Sequence, residues 1–170
     1  MNIMRRLIYS TLIIALALTG FACSSSSSGN DEIEVEAIVG SWESEGQENV
    51  ALGLQMIAKT SRIDATFEDD NSYNVVSTDS SGSAVTFTGA YELGEETASG
   101  IRTITLQQSQ PTSLVSEGIF QIEGSTMTYE VIQTDPNIGA EAPTVEGGFG
   151  STIVNGQATG VFWVQTYTKQ

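Results

Sequence analysis

Histidine is absent from this 170-residue chain, and cysteine occurs once, as Cys23. Without imidazole there is no histidine base for a serine or cysteine hydrolase and no histidine-based zinc site. A single cysteine cannot pair with itself, so no intrachain disulfide staples the fold. Basic residues are scarce: six Lys and Arg stand against 21 Asp and Glu, a formal charge of −15. So acidic a chain repels nucleic acid and has no basic patch to follow a phosphate backbone, which excludes nucleic-acid binding. Nor is there a phosphate-cradling glycine loop, since Gly147-Gly148-Phe149-Gly150 lacks the following lysine. Paired carboxylates for glycoside hydrolysis would need two acids held across a cleft, and nothing in the pattern singles out which two. The chain therefore reads as non-enzymatic, with no catalytic residues and no cofactor.

What is present begins with an N-terminal apolar run. Arg5 and Arg6 precede Leu7 to Leu18, and Gly20-Phe21-Ala22 leads to Cys23. The run is short for a hydrocarbon core of about 30 Å. With the serine tract Ser24 to Ser28 that follows, this segment resembles a bacterial lipoprotein signal. The resemblance implies residues 1–22 as signal peptide and Cys23 as the acylated N-terminus, with several acyl chains (palmitate-type) giving durable membrane anchoring. Residues 23–37 then form a serine-rich and acidic tether, carrying Asp31, Glu32, Glu34 and Glu36. The expected location is the outer membrane or cell surface, lipid-anchored. An ordinary secreted protein cut near Ala22, or a single N-terminal membrane anchor, are the alternatives. Removal of residues 1–22 takes two basic groups with it, leaving four against 21 acids, a formal charge of −17.

The remainder, residues 38–170, is long enough for one domain with a real core. In Ser83 to Leu93, Val85, Phe87, Tyr91 and Leu93 fall on one face while Thr86, Thr88 and Glu92 fall on the other, the period of a strand with one wet side. The same reading predicts strands over Ile38–Ser44, Ser61–Phe67, Ser72–Ser77, Ile101–Gln107, Leu114–Ile122, Ser125–Ile132 and Thr159–Thr168. Short polar turns at Asp69-Asp70-Asn71, Asp79-Ser80-Ser81-Gly82 and Glu123-Gly124 join neighbours as hairpins. An eight-stranded, all-β, up-and-down antiparallel barrel is the economical expectation, because closure removes the exposed edges. A β-sandwich is the alternative. Two stretches break the regularity. Asn49 to Lys59 suits a short amphipathic helix or an edge strand, and Asp135 to Gly150 is a long loop suited to recognition or simply to motion.

Gly40-Ser41-Trp42 on the first strand resembles the Gly-x-Trp element of lipocalins and fatty-acid-binding proteins. Phe67-Glu68-Asp69-Asp70-Asn71-Ser72-Tyr73 and the terminal Tyr167-Thr168-Lys169 are similar to the small lipocalin-like domains of bacterial, Bacteroidetes-type lipoproteins. The resemblance spans about residues 38 to 170. It implies that Gly40 and Trp42 plug one end of the barrel beneath a late basic residue. No late arginine exists, and Lys169 is the candidate to take its place.

Phe87, Tyr91, Phe120, Tyr129 and Trp163 are the candidates to line a barrel interior, which in eight strands can be filled or hollow enough for one small ligand. Thr103, Thr105 and Gln107 form the wet face opposite Ile104 and Leu106. Asp69, Asp70, Asn71 and Ser72 are read as a turn and not a metal site, so no metal is expected. Two functions stay open. One is a lipid-anchored protein that binds a small apolar or amphipathic ligand in its barrel. The other is a packed structural or interaction module that contacts an envelope protein. Interior volume discriminates between them: a connected apolar cavity favours the first, a filled centre the second.

Overall fold

The computed structural model describes residues 36–170. The signal segment, Cys23 and the tether up to residue 35 lie outside the described residues. The elements in chain order are β1 (Gly40–Glu45), α1 (Leu52–Ala58), β2 (Thr60–Phe67), β3 (Ser72–Asp79), β4 (Ala84–Leu93), β5 (Arg102–Gln110), β6 (Leu114–Glu123) and β7 (Thr126–Asp135). They are followed by β8 (Ala140–Glu141), β9 (Ile153–Val154), β10 (Gln157–Ala158), a 3-10 turn (Gly160–Trp163) and β11 (Val164–Lys169). Strands β1 to β7 pair in sequence as an antiparallel meander, and β11 inserts between β7 and β1 to close a barrel of eight strands. Closure, with Trp42 opposite Lys169, excludes the sandwich.

The turn chemistry explains the short connections. In the β2–β3 hairpin the Asp70 carboxylate accepts the Ser72 amide at 2.9 Å, and Asn71 takes a left-handed φ of 64°. In the β3–β4 hairpin Asp79 accepts the amides of Ser81 and Ser83 at 2.8 and 2.9 Å. The Ser72 and Ser81 side chains, together with these amides, stabilise the ionised forms and hold both carboxyls below their ordinary range. Sharp coiling is carried by two inward positions without side chains. A Cβ at Gly89 would stand 2.1 Å from the Gln107 carbonyl oxygen, and one at Gly118 would stand 2.0 Å from that of Glu130. Only glycine permits strands to approach so closely.

Three expectations need correction or completion. Asn49–Lys59 contains a helix, α1, and not an edge strand. The strand expected over Thr159–Thr168 begins only at Val164, because Gly160 adopts a φ of 59° and residues 160–163 wind into the 3-10 turn. The expected loop from Asp135 to Gly150 is part of a longer excursion between β7 and β11, ordered by the small sheet β8-β9-β10.

That excursion is pinned to the barrel wall by a buried acid. Glu130 is fully buried and accepts the Gly150 amide at 2.6 Å, the Thr152 amide at 3.3 Å and the Thr152 hydroxyl. Three donors replace the water a carboxyl loses on burial.

The core is concentrated towards the end of the barrel where β1 begins. There Ile38, Trp42, Phe67, Tyr91, Ile104, Phe120 and Met127 are all buried. Phe67 and Tyr91 meet edge to face at 5.3 Å, a favoured aromatic geometry.

Candidate functional site

One end of the barrel is sealed. Trp42 is 1% exposed and its indole donates to the Ile38 carbonyl at 2.7 Å, so burial leaves no polar atom of the ring unpaired. The Lys169 ammonium lies 5.2 Å from the Trp42 ring centroid, within cation–π range, and also donates to the Ala37 carbonyl at 3.2 Å. Gly40, with a φ of 126°, leaves room for the Lys169 stem: a Cβ there would stand 3.2 Å from Lys169 Cε. Arg102, mid-domain in sequence, reaches the same end. It sits 5.9 Å over the Phe120 ring, donates to the Gly94 carbonyl and pairs with Glu36 at 2.6 Å. The charged hydrogen bond from Arg102 holds the Glu36 carboxyl below its ordinary value. The chain thus enters the barrel across its sealed end.

The other end is open. A cavity of 450 Å³ occupies the barrel between the sealed core and a mouth framed by α1, the 3-10 turn and the start of the excursion. Its walls are largely apolar, with Ile63, Val75, Phe87, Leu106 and Val131 among them. Tyr73, Tyr129 and Tyr167 line its inner part, where Tyr129 and Tyr167 meet edge to face at 5.7 Å. Burial pushes the Tyr73 phenol up to about 12 and raises Tyr129 and Tyr167 as well, so all three are neutral hydroxyls at any physiological pH. Among the described residues none of these hydroxyls bonds to protein, in contrast to that of Tyr91, which donates to the Glu68 carbonyl at 2.7 Å.

Trp163 at the mouth and Gln165, opposite Tyr129, also line the cavity, and the indole nitrogen of one and the amide oxygen of the other are buried without partners among the described residues. Trp163 holds α1 in place. A Cβ on Gly53 of α1 would stand 2.5 Å from its ring, so helix and 3-10 turn are in direct contact through the missing side chain. Around the opening Leu52, Met56, Ile57, Ile138 and Val161 are half or more exposed, which gives the mouth an apolar rim.

The space opens to solvent at its mouth and is not a dry void. The space therefore holds water or a guest, and the unpaired hydroxyls are what either would bond. A larger depression, 580 Å³, lies on the outer surface of β3, β4 and β5, between Glu68, Asn74, Thr88, Gln107 and Ser109. It is an open surface groove beside the Gly89 bulge and is not enclosed by the barrel.

The expected lining set divides. Phe87, Tyr129 and Trp163 line the cavity, Trp163 from the 3-10 turn and not from a strand. Tyr91 and Phe120 do not: they belong to the sealed core. Tyr73, Gln165 and Tyr167 were not among the expected lining residues, although the alternation Tyr73, Val75, Ser77 and the pair Gln165, Tyr167 mark inward faces by the same period of two.

No family model, curated protein or solved structure matches this chain. The site must be read from its own geometry. No helix among the described residues is long and apolar enough to cross a membrane, and no group of three or more Cys, Asp or Glu there is placed to hold a metal ion.

Proposed function

We propose that this protein is a lipid-anchored, extracytoplasmic binding protein with a lipocalin-like barrel that holds one small apolar or amphipathic molecule. The observation that carries the reading is the 450 Å³ apolar cavity, open at one end of a barrel whose other end is sealed. Its volume falls in the range of ligand sites, and its few polar groups converge on the interior. The reading involves no catalysis: affinity comes from displacing water from apolar walls, and release from movement of α1 against the 3-10 turn. The Trp42–Lys169 contact beside Gly40 supports the lipocalin-like comparison, because it places a basic residue on the buried tryptophan of the first strand. The packed-module alternative rests on the apolar rim, which could meet an envelope protein instead.

Native mass spectrometry on the full chain, released from its host membrane in mild detergent, tests the reading. The expected result is a discrete noncovalent adduct that is lost on denaturation, with the denatured mass reporting acyl chains on Cys23. An adduct-free protein that also fails to take up added amphiphiles would overturn the binding assignment. A Cys23 of unmodified mass would overturn the anchor.

A further inference from the structure

We infer that the cavity selects uncharged amphiphiles, taking an alcohol or amide head group against its tyrosine hydroxyls, and discriminates against the carboxylate of the same chain length. This inference rests on the binding reading above and adds the chemical class of the ligand.

The first observation is the charge of the wall. None of the residues lining the cavity is ionised at neutral pH. The described part of the chain has four basic residues, and three are committed elsewhere. Arg62 pairs with Glu43, Glu45 and Asp64 outside the barrel at 2.7, 3.5 and 2.6 Å. Arg102 pairs with Glu36, and Lys169 lies on Trp42, both at the sealed end. An anionic head drawn into this cavity would lose its hydration without meeting a cation, the costliest way to bury a polar group. The surrounding surface, at a formal charge of −15 for the whole chain, adds long-range repulsion of anions.

The second observation is the set of unsatisfied neutral groups. The hydroxyls of Tyr73, Tyr129 and Tyr167 can each donate and accept, and Tyr129 and Tyr167 are in contact. The Trp163 indole N–H and the Gln165 amide oxygen are unpaired as well, but both atoms are buried away from the open space, so the tyrosine hydroxyls carry the recognition. A neutral alcohol or amide matches these hydroxyls, because it brings both a donor and an acceptor and needs no counter-charge. Lys59, which caps α1 at the mouth, is exposed and is the one cation that could serve an anion stopped at the opening.

The test is isothermal titration calorimetry at neutral pH with decanamide, 1-decanol and decanoate, using the full chain after bound cargo has been stripped. Decanamide and decanoate have nearly the same shape and differ in charge. The expected result is binding of the two neutral probes, with decanoate at least tenfold weaker. Tyr167→Phe and Tyr129→Phe should each weaken decanamide by roughly two- to tenfold, the worth of one hydrogen bond, while leaving the thermal midpoint in place. Should either variant fold poorly, Tyr73→Phe probes the same question at the third hydroxyl. Decanoate binding as tightly as decanamide overturns the head-group inference while leaving the cavity reading intact, and loss of that binding in Lys59→Gln would locate the anion at the mouth. Failure of all three probes to bind overturns both.

Discussion

The molecule contains one buried indole, one half-buried indole and several buried phenols, and the two ends of the barrel treat them differently. At the sealed end the Trp42 N–H bonds to Ile38 and the Tyr91 hydroxyl bonds to Glu68. At the mouth the Trp163 N–H has no partner, and the hydroxyls of Tyr129 and Tyr167 face a cavity with none among the described residues. Leaving a buried donor unpaired costs about 1–3 kcal/mol, so a fold that meets this requirement at one end and neglects it at the other has divided its labour. The sealed end supplies stability; the open end leaves hydroxyls without protein partners among the described residues.

That contrast can be broken most forcefully at the two tryptophans. Trp42→Ala should lower the unfolding free energy by about 3–5 kcal/mol, whereas Trp163→Ala, at a half-buried position, should cost less. Denaturant titration of both variants decides it, and equal losses would erase the distinction between the ends. A finer cut compares tyrosines. Tyr91→Phe removes a hydrogen bond and should cost about 1 kcal/mol, while Tyr167→Phe removes a hydroxyl without a protein partner and should cost close to nothing in the cargo-free protein. A matching loss in both would reveal a partner for Tyr167 and would remove a hydroxyl from the proposed site.

The smallest expected effect concerns the Glu36–Arg102 pair and depends on pH. Arg102 lowers the Glu36 carboxyl below its ordinary value of 4.5. The pair therefore stabilises the fold at neutral pH, and its contribution disappears as acidity rises through that lowered value. The difference in urea midpoint between the parent and Glu36→Gln should be visible at neutrality and shrink from about pH 5 downward. Because Glu36 is half exposed, solvent screening keeps the effect modest. A difference that persists unchanged into acid would assign the contribution to packing and not to charge.

The barrel was legible in the sequence because its two determinants are local. Alternation over β4 or β7 marks which side chains point inward, and Asp70-Asn71 or Asp79 to Gly82 mark where the chain reverses. The division of the interior was not legible. Alternation says that Tyr91 and Tyr129 both point inward, but not at what height along the axis, and height decides that one is packed against Phe67 while the other borders a cavity. Height depends on the stagger of all eight strands, which no single segment encodes. Trp163 lines the cavity as expected but was placed on a strand because Val161 to Val164 are β-branched and aromatic, whereas the left-handed Gly160 winds the chain into a 3-10 turn. Glu130 was invisible for the opposite reason: alternation points it outward, and only the excursion folded over it makes it buried.

Both described chain ends lie at the same pole. Glu36 is bound to Arg102 there, and the amide of Gln170 donates to the Ser41 carbonyl at 2.9 Å. Any linkage made through either end grips the protein by its base, as a cup is held from below. Biosensor chips, display scaffolds or fused reporters joined at the N- or C-terminal side would accordingly leave the opening unobstructed and facing the solution.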